Sequence, residues 1–268
     1  MSKGFLWFAQ NNEKTDYAKL SIELAKSIKQ HNNENLICVV TDKLTKINSD
    51  YIDYVVVLKD DNSEKHSNKF SNEYKAFGLT PFTHTIKLEA DMLFTSCTDE
   101  WWNHLGQHDM VFSINCRNYK DEIINNSPYR KIFNKNLLAD VYNGMFYFRK
   151  SVLSKKFFDI CKTITLNWNT VRDEMLINCH DDVPTTDVVY ALSLRILDPT
   201  NQLLVDYPWF KFIHNKPGIN KTESVMDQHN YLYPTQLADR MYLGGKRLHR
   251  VWHYYQKDTT ELLNDRIF

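Results

Sequence analysis

Glu89 and Asp91 stand one residue apart at the end of the run His84-Thr85-Ile86-Lys87-Leu88, and apolar residues resume at once as Met92-Leu93-Phe94. The apolar and β-branched residues, with Pro81 ahead of them, predict a buried strand with Lys87 at its edge. At a strand end, side chains at i and i+2 point to one side of the sheet. Two carboxylates placed there repel each other unless a cation lies between them. The carboxyl end of a strand is also where open α/β sheets bind ligands. Hard oxygen ligands that leave room for substrate phosphates suit Mg²⁺ or Mn²⁺. For an isolated Glu-x-Asp the commoner outcome is a strand-end turn with solvated acids, so the rest of the chain must decide.

The elements that would position this pair alternate along the chain. Gly4 to Ala9 reads as a short buried strand. A helix capped by Thr15 or Asp16 follows, running to about Gln30 with Leu20, Leu24 and Ile28 on its apolar face. Strands are predicted over Leu36 to Thr41 and Asp53 to Leu58, then a charged loop from Lys59 to about Lys69 and a helix from Ser71 to Phe77. Beyond the acidic pair, Met110 to Ile114 and Met145 to Phe148 read as strands, with helices over Val152 to Thr163 and Thr186 to Leu197. This order implies an open, mostly parallel α/β sheet with flanking helices. With no repeat and no linker, residues 1–268 are expected to form one domain. Hydrophobic content of 43% and charged content of 25% are those of an ordinary globular protein. Formal net charge is zero, so a polyanion could be held only by a local patch. The five cysteines, Cys38, Cys97, Cys116, Cys161 and Cys179, have no C-x-x-C spacing and suit free thiols in a reducing compartment. No apolar run reaches the roughly 18 residues of a membrane span, and Phe5 to Ala9 is too short for a signal segment. A cytoplasmic protein is expected.

Trp7-Phe8-Ala9-Gln10-Asn11-Asn12, Glu89-Ala90-Asp91, Tyr142-Asn143-Gly144-Met145, Pro184-Thr185-Thr186-Asp187 and Trp252-His253 with Lys257, in that order, resemble motifs of the GT-A (Rossmann-like) nucleotide-sugar glycosyltransferases. The resemblance covers nearly the whole chain. It implies a metal-dependent transferase in which Glu89, in place of the usual Asp, joins Asp91 and His253 as metal ligands. Donor-binding positions would be Trp7, Ala9, Gln10, Asn11, Lys75, Asn143, Gly144 and Lys257. Asp187 would lie near the acceptor and the anomeric carbon, and a UDP-sugar is the implied donor. A narrower likeness, carried by Lys3 to Glu13, Met92-Leu93-Phe94-Thr95 before Trp101-Trp102, and Thr185-Thr186-Asp187-Val188-Val189, is to small glycosyltransferases of large tailed phages. Among these are enzymes that place a pentose, arabinose, on 5-hydroxymethylcytosine in phage DNA. It implies hydroxymethylated DNA as acceptor and the host cytoplasm as the place of work.

The residue types can be weighed beside that likeness. Glycosyl transfer needs the leaving diphosphate's charge neutralised, which a metal does as Lewis acid and template. Alone, His253 between Trp252 and Tyr254 reads more often as a core histidine, and Lys75 as a solvated charge. Asp187 before an apolar helix is also an ordinary cap position; as a functional group it would serve as base on the acceptor or stabilise an oxocarbenium face. Asp181 and Asp182 are rivals for that role. The pair Trp101-Trp102 suits packing. Basic clusters that could meet DNA phosphates are Arg117 to Lys120, Arg130-Lys131, Lys155-Lys156 and Arg240 to Arg250, interleaved with Tyr119, Tyr129 and Tyr242. Two other readings remain open: a transferase acting on a surface glycan or small acceptor, and a non-catalytic nucleotide-binding protein.

Overall fold

Six strands form the central sheet in the order β3-β2-β1-β4-β7-β6. They are β1 (Lys3–Phe8), β2 (Leu36–Thr41), β3 (Tyr54–Val57), β4 (His84–Glu89), β6 (Met110–Ile114) and β7 (Val141–Arg149). The computed structural model describes residues 2–64, 69–124, 130–215, 234–237, 240–249, 251–254 and 257. β1 lies between β2 and β4, parallel to both, and β2 pairs parallel with β3. β7 runs against β4 and β6, so the sheet is mostly parallel with one reversed strand. That strand is longer than the Met145–Phe148 core suggested by its aromatics, because Val141 to Gly144 also pair or lie buried.

Period-two alternation sorts the strand side chains into two apolar layers. Leu6, Val40, Phe112, Phe146 and Phe148 face one side, where α5 (Val152–Leu166) and α7 (Thr186–Leu197) cover them with Phe157, Phe158, Tyr190 and Leu194. Phe5, Trp7, Val39, Ile86 and Tyr147 face the other side, against Leu24, Ala25 and Ile28 of α1 (Tyr17–His31). Asp16 caps α1 by accepting from Lys19 N at 3.1 Å. In place of the helix predicted from Ser71 to Phe77 there is a 3₁₀ turn, Lys69–Lys75, followed by α2 (Ala76–Leu79). The shorter helices are α3 (Trp101–Leu105), α4 (Lys131–Asn136) and α6 (Trp168–Met175).

A small second sheet sits where the first one ends. β5 (Met92–Leu93) continues directly from the Ala90-Asp91 turn and pairs antiparallel with β12 (Val251–His253). β12 pairs parallel with β8 (Phe212–His214), in a register that sets His253 opposite His214. β9 (Thr235–Leu237), β10 (Arg240–Leu243) and β11 (Lys246–Arg247) make a third, antiparallel sheet. All five cysteines are free thiols, and no described helix is long and apolar enough to cross a membrane.

Candidate functional site

The two sheets meet at the acidic turn. β4 delivers Glu89 as its last residue, the turn places Asp91, and the β5–β12 pairing brings His253 opposite Met92, the next residue along. His253 Nε2 lies 3.2 Å from Glu89 Oε2 and 3.3 Å from Asp91 Oδ1. The ligand atoms of Glu89, Asp91 and His253 all fall within 4.8 Å of one another, so the structure brings the expected trio together. Behind it, His214 Nδ1 is 2.6 Å from His253 Nδ1, which leaves Nε2 of His253 directed at the carboxylates. The Lys257 ammonium contacts Asp91 Oδ2 and donates to Tyr254 O at 3.1 Å.

The charges behave as those of groups sharing one small volume. Burial pushes the Glu89 carboxyl up, and Asp91 adds to the rise against the pull of His253. Burial would raise Asp91 as well, but Lys257 and His253 outweigh it and hold that carboxyl well below the ordinary range. Burial would lower His253, yet Asp91 and Glu89 lift it. The two carboxyls split because Lys257 and His253 favour the charged form of Asp91, while burial and the neighbouring Asp91 charge disfavour that of Glu89. A divalent ion would meet two oxygen ligands and one imidazole, a donor set that fits Mg²⁺ or Mn²⁺ and leaves positions for phosphate oxygens.

The trio forms the floor of a cleft of about 550 Å³. Gly144 of β7 lies against it: a Cβ there would sit 2.8 Å from the Phe212 ring and 3.4 Å from Glu89 Oε2. This close approach requires glycine. Asn143 donates from Nδ2 to Glu89 Oε1 at 2.7 Å, and its backbone N–H donates to Asp187 Oδ1 at 2.6 Å. Asp187 stands in the first turn of α7, where the helix dipole favours an anion, while the cap residue Thr185 makes no side-chain cap bond. Its second oxygen accepts from Arg130 Nη1 at 2.9 Å. Arg130 is only 1% exposed, lies between the rings of Phe133 and Tyr142, and also bonds Asp140 at 2.8 Å. Sequence context puts this arginine in a basic surface cluster with Lys131; the structure corrects that, because its charge is engaged by two carboxylates inside the fold.

Other expected residues lie elsewhere. Of Trp7, Ala9, Gln10 and Asn11, Gln10 alone lines the cleft. Alternation along β1 sends Trp7 and Ala9 into the layer beneath α1, where Trp7 Nε1 donates to Ser21 Oγ at 2.9 Å. Asn11 is occupied with the start of α1, accepting from Ala18 N and donating to Asp16, each at 3.0 Å. Gln10 donates to Asp61 Oδ2 at 2.8 Å and accepts from Asn72 at 3.3 Å. Lys75 donates to Asp60 O and lines a separate hollow with Lys155 and Lys162, not the cleft. Asp182 is 98% exposed in its side chain and faces Arg172 at 3.4 Å, whereas Asp181 does line the cleft. Trp102 is packed against Phe5, as expected, and Trp101 packs against Trp209 and Phe210.

Tyr17, Glu73, Arg130 and His214 line the cleft without having stood out in the sequence as site residues. Lys87 is the clearest correction. It is wholly buried rather than at an edge, pairing with Glu73 Oε2 at 2.5 Å and donating to Asn143 Oδ1. A lysine inside an otherwise apolar strand was the available signal, since a fully buried lysine requires a partner.

Two basic clusters distant in sequence meet in the structure. Lys246 donates to Lys120 O at 3.0 Å, and Arg117 N donates to Phe212 O at 3.3 Å, tying that cluster to a cleft-lining residue. Lys246 and Arg247 are exposed. Lys155 instead pairs with Asp159 on α5 at 2.7 Å. Tyr129 and Arg250 lie outside the described residues.

No protein-family model matches the chain, and no curated protein sequence does. Among solved structures, it is similar to an active-site mutant of LgtC, with a TM-score of 0.52, 13% identity, and coverage of 94% of this chain and 87% of that one. The galactosyltransferase LgtC in complex with donor and acceptor sugar analogs gives a TM-score of 0.52 at 12% identity with the same coverage. The glycosyltransferase GlyE of Streptococcus pneumoniae TIGR4 follows at a TM-score of 0.43 and 13% identity, over 77% of this chain and 46% of GlyE, so the chain spans less than half of that protein. At this level of identity the likeness to LgtC is one of fold: the chain has the GT-A glycosyltransferase fold.

Proposed function

We propose that the protein is a metal-dependent glycosyltransferase that moves a sugar from a nucleotide diphosphate donor to an acceptor hydroxyl. The observation that carries this reading is the convergence of Glu89, Asp91 and His253 on the floor of a cleft in a GT-A fold. Glu89, Asp91 and His253 would hold Mn²⁺ or Mg²⁺, which when bound supplies Lewis-acid neutralisation of the leaving diphosphate. Lys257, beside Asp91, is a second positive group for the donor phosphates. Gly144 lets Phe212 and Glu89 close up against β7 at the edge of the cleft. Asp187 keeps both oxygens engaged, by Asn143 N–H and by Arg130. A carboxylate so occupied is better suited to accept a sugar hydroxyl and to stabilise positive charge at the anomeric carbon than to remove a proton.

The finer reading concerns the substrates. A UDP-sugar is the proposed donor, and 5-hydroxymethylcytosine in DNA the proposed acceptor, with a pentose such as arabinose transferred to its hydroxymethyl oxygen. Its support is the sequence resemblance, together with the basic clusters that meet at Lys246 and Lys120. Such an acceptor would be contacted at its phosphates by local Lys and Arg, and a duplex base would have to leave its stack. The direct test is mass spectrometry of nucleosides after hydroxymethylated DNA is incubated with the protein, Mn²⁺ and a panel of nucleotide sugars. A new glycosylated nucleoside is expected. LgtC, solved with an acceptor sugar analog, is the precedent for the competing glycan acceptor. Efficient transfer to a free sugar or glycan with DNA untouched would overturn the DNA reading.

A further inference from the structure

Lys87 lies beneath the cleft floor with no exposed surface, so no substrate can touch it. Its ammonium is shared between Glu73, at 2.5 Å, and the side-chain oxygen of Asn143. The Asn143 amide nitrogen in turn donates to Glu89 Oε1 at 2.7 Å, while Glu89 Oε2 faces His253 at 3.2 Å. An ammonium can only donate and an ionised carboxylate can only accept. The amide between them therefore satisfies both in one orientation, oxygen toward Lys87 and nitrogen toward Glu89. Turned over, it would set NH₂ against NH₃⁺ and a carbonyl oxygen against a carboxylate. With Oε1 held by Asn143, Glu89 has Oε2 left for an ion.

We infer that Lys87 is a positioning residue for the metal site: through the Asn143 amide it fixes which oxygen of Glu89 is offered to the ion. The inference rests on the metal-dependent reading above and adds to it a residue that lies outside the ligand set. Without the ammonium, the buried amide oxygen loses its donor, and the side chain turns or shifts to recover one. Glu89 then loses its fixed partner, and the ion meets a carboxylate free to rotate. Loss of such an outer partner typically weakens metal affinity about 10–100-fold.

The test measures Mn²⁺ binding through the free-ion paramagnetic resonance signal, with thermal unfolding followed in parallel and no activity assay involved. Lys87→Met should weaken Mn²⁺ binding by about tenfold or more and also lower the melting temperature, because Glu73 is left buried without its partner. The double variant Glu73→Gln with Lys87→Met removes both buried charges. It should regain much of the melting temperature and none of the Mn²⁺ affinity, which a purely structural role for Lys87 would not produce. Mn²⁺ affinity close to that of the wild type in either folded variant, or affinity that returns together with stability in the double variant, would overturn the inference alone. A wild-type protein that leaves the free-ion signal unchanged, as the control Asp91→Asn should, would overturn the metal reading and this inference with it.

Discussion

Gly144 has space for a hydrogen and for nothing larger. A methyl group there presses on the Phe212 ring at 2.8 Å and comes into contact with Glu89 Oε2 at 3.4 Å. Gly144→Ala should therefore cost about 1–3 kcal/mol of stability as Phe212 gives way, and should reduce Mn²⁺-dependent turnover more than that loss implies; urea unfolding and steady-state rates on the same preparation check it. Arg130 poses the opposite problem, a buried charge with two acidic partners. Arg130→Met leaves Asp187 and Asp140 without their shared cation, and a loss of about 3–5 kcal/mol is expected on denaturation. A third prediction concerns acid. Burial holds the Glu89 carboxyl above its ordinary range, so it binds a proton more readily than an exposed glutamate as the pH falls. An incoming ion must displace that proton. Mn²⁺ affinity should thus decline from neutral pH into the acid range, where His253, lifted by both carboxylates, must also lose its proton. The decline should become shallower in Glu89→Gln, measured by titration at several pH values. The acidic pair itself was legible because its neighbours and its strand are local in sequence. The partner of Lys87 was not, since that carboxylate, Glu73, comes from the 3₁₀ turn and no pattern within β4 points there.

The aromatic residues of β7 and α5 make the firmest joint between elements. Phe146 stacks on Phe112 with centroids 4.5 Å apart and meets Phe157 and Tyr190 edge-on or tilted. Phe157→Ala would leave a void in this layer and should cost about 3–5 kcal/mol, while the rate per folded molecule stays near wild type because α5 contributes nothing to the cleft; chemical denaturation and active-site titration separate the two. The long helices α1, α5 and α7 and the strands β1, β2 and β4 could be read from hydrophobic period and capping residues. The small sheet could not. β5 has two residues and β12 three, too few to show a period, and they pair across most of the chain's length. The direction of β7 was hidden for a related reason: an apolar strand has the same composition whichever way it runs. In the segment at the end of β1, alternation turns Trp7 and Ala9 inward, while Gln10 and Asn12, with Tyr17 of α1, line the cleft.

At the scale of the whole molecule, zero net charge gives no general attraction to a polyanion. Any use of DNA must come from a local basic surface, of which the region where Lys246 meets Lys120 beside the exposed Arg247 is the candidate. Reversing Lys246 and Arg247 to Glu should weaken transfer to hydroxymethylated DNA several-fold and leave donor hydrolysis unchanged, and transfer by the wild type should fall with salt as phosphate contacts are screened; equal loss of both activities would place these residues in the fold and not in acceptor binding. The order of the elements along the chain has a further consequence. Every strand of the large sheet has been made by Arg149, and α7 by Leu197, yet the third candidate ion ligand arrives with His253. As the polypeptide leaves the ribosome, its main body can consolidate while the corner that grips the ion is still missing a side. The candidate ion site is then completed only after the large sheet, and a chain cut short before Val251 would carry that sheet and lack His253.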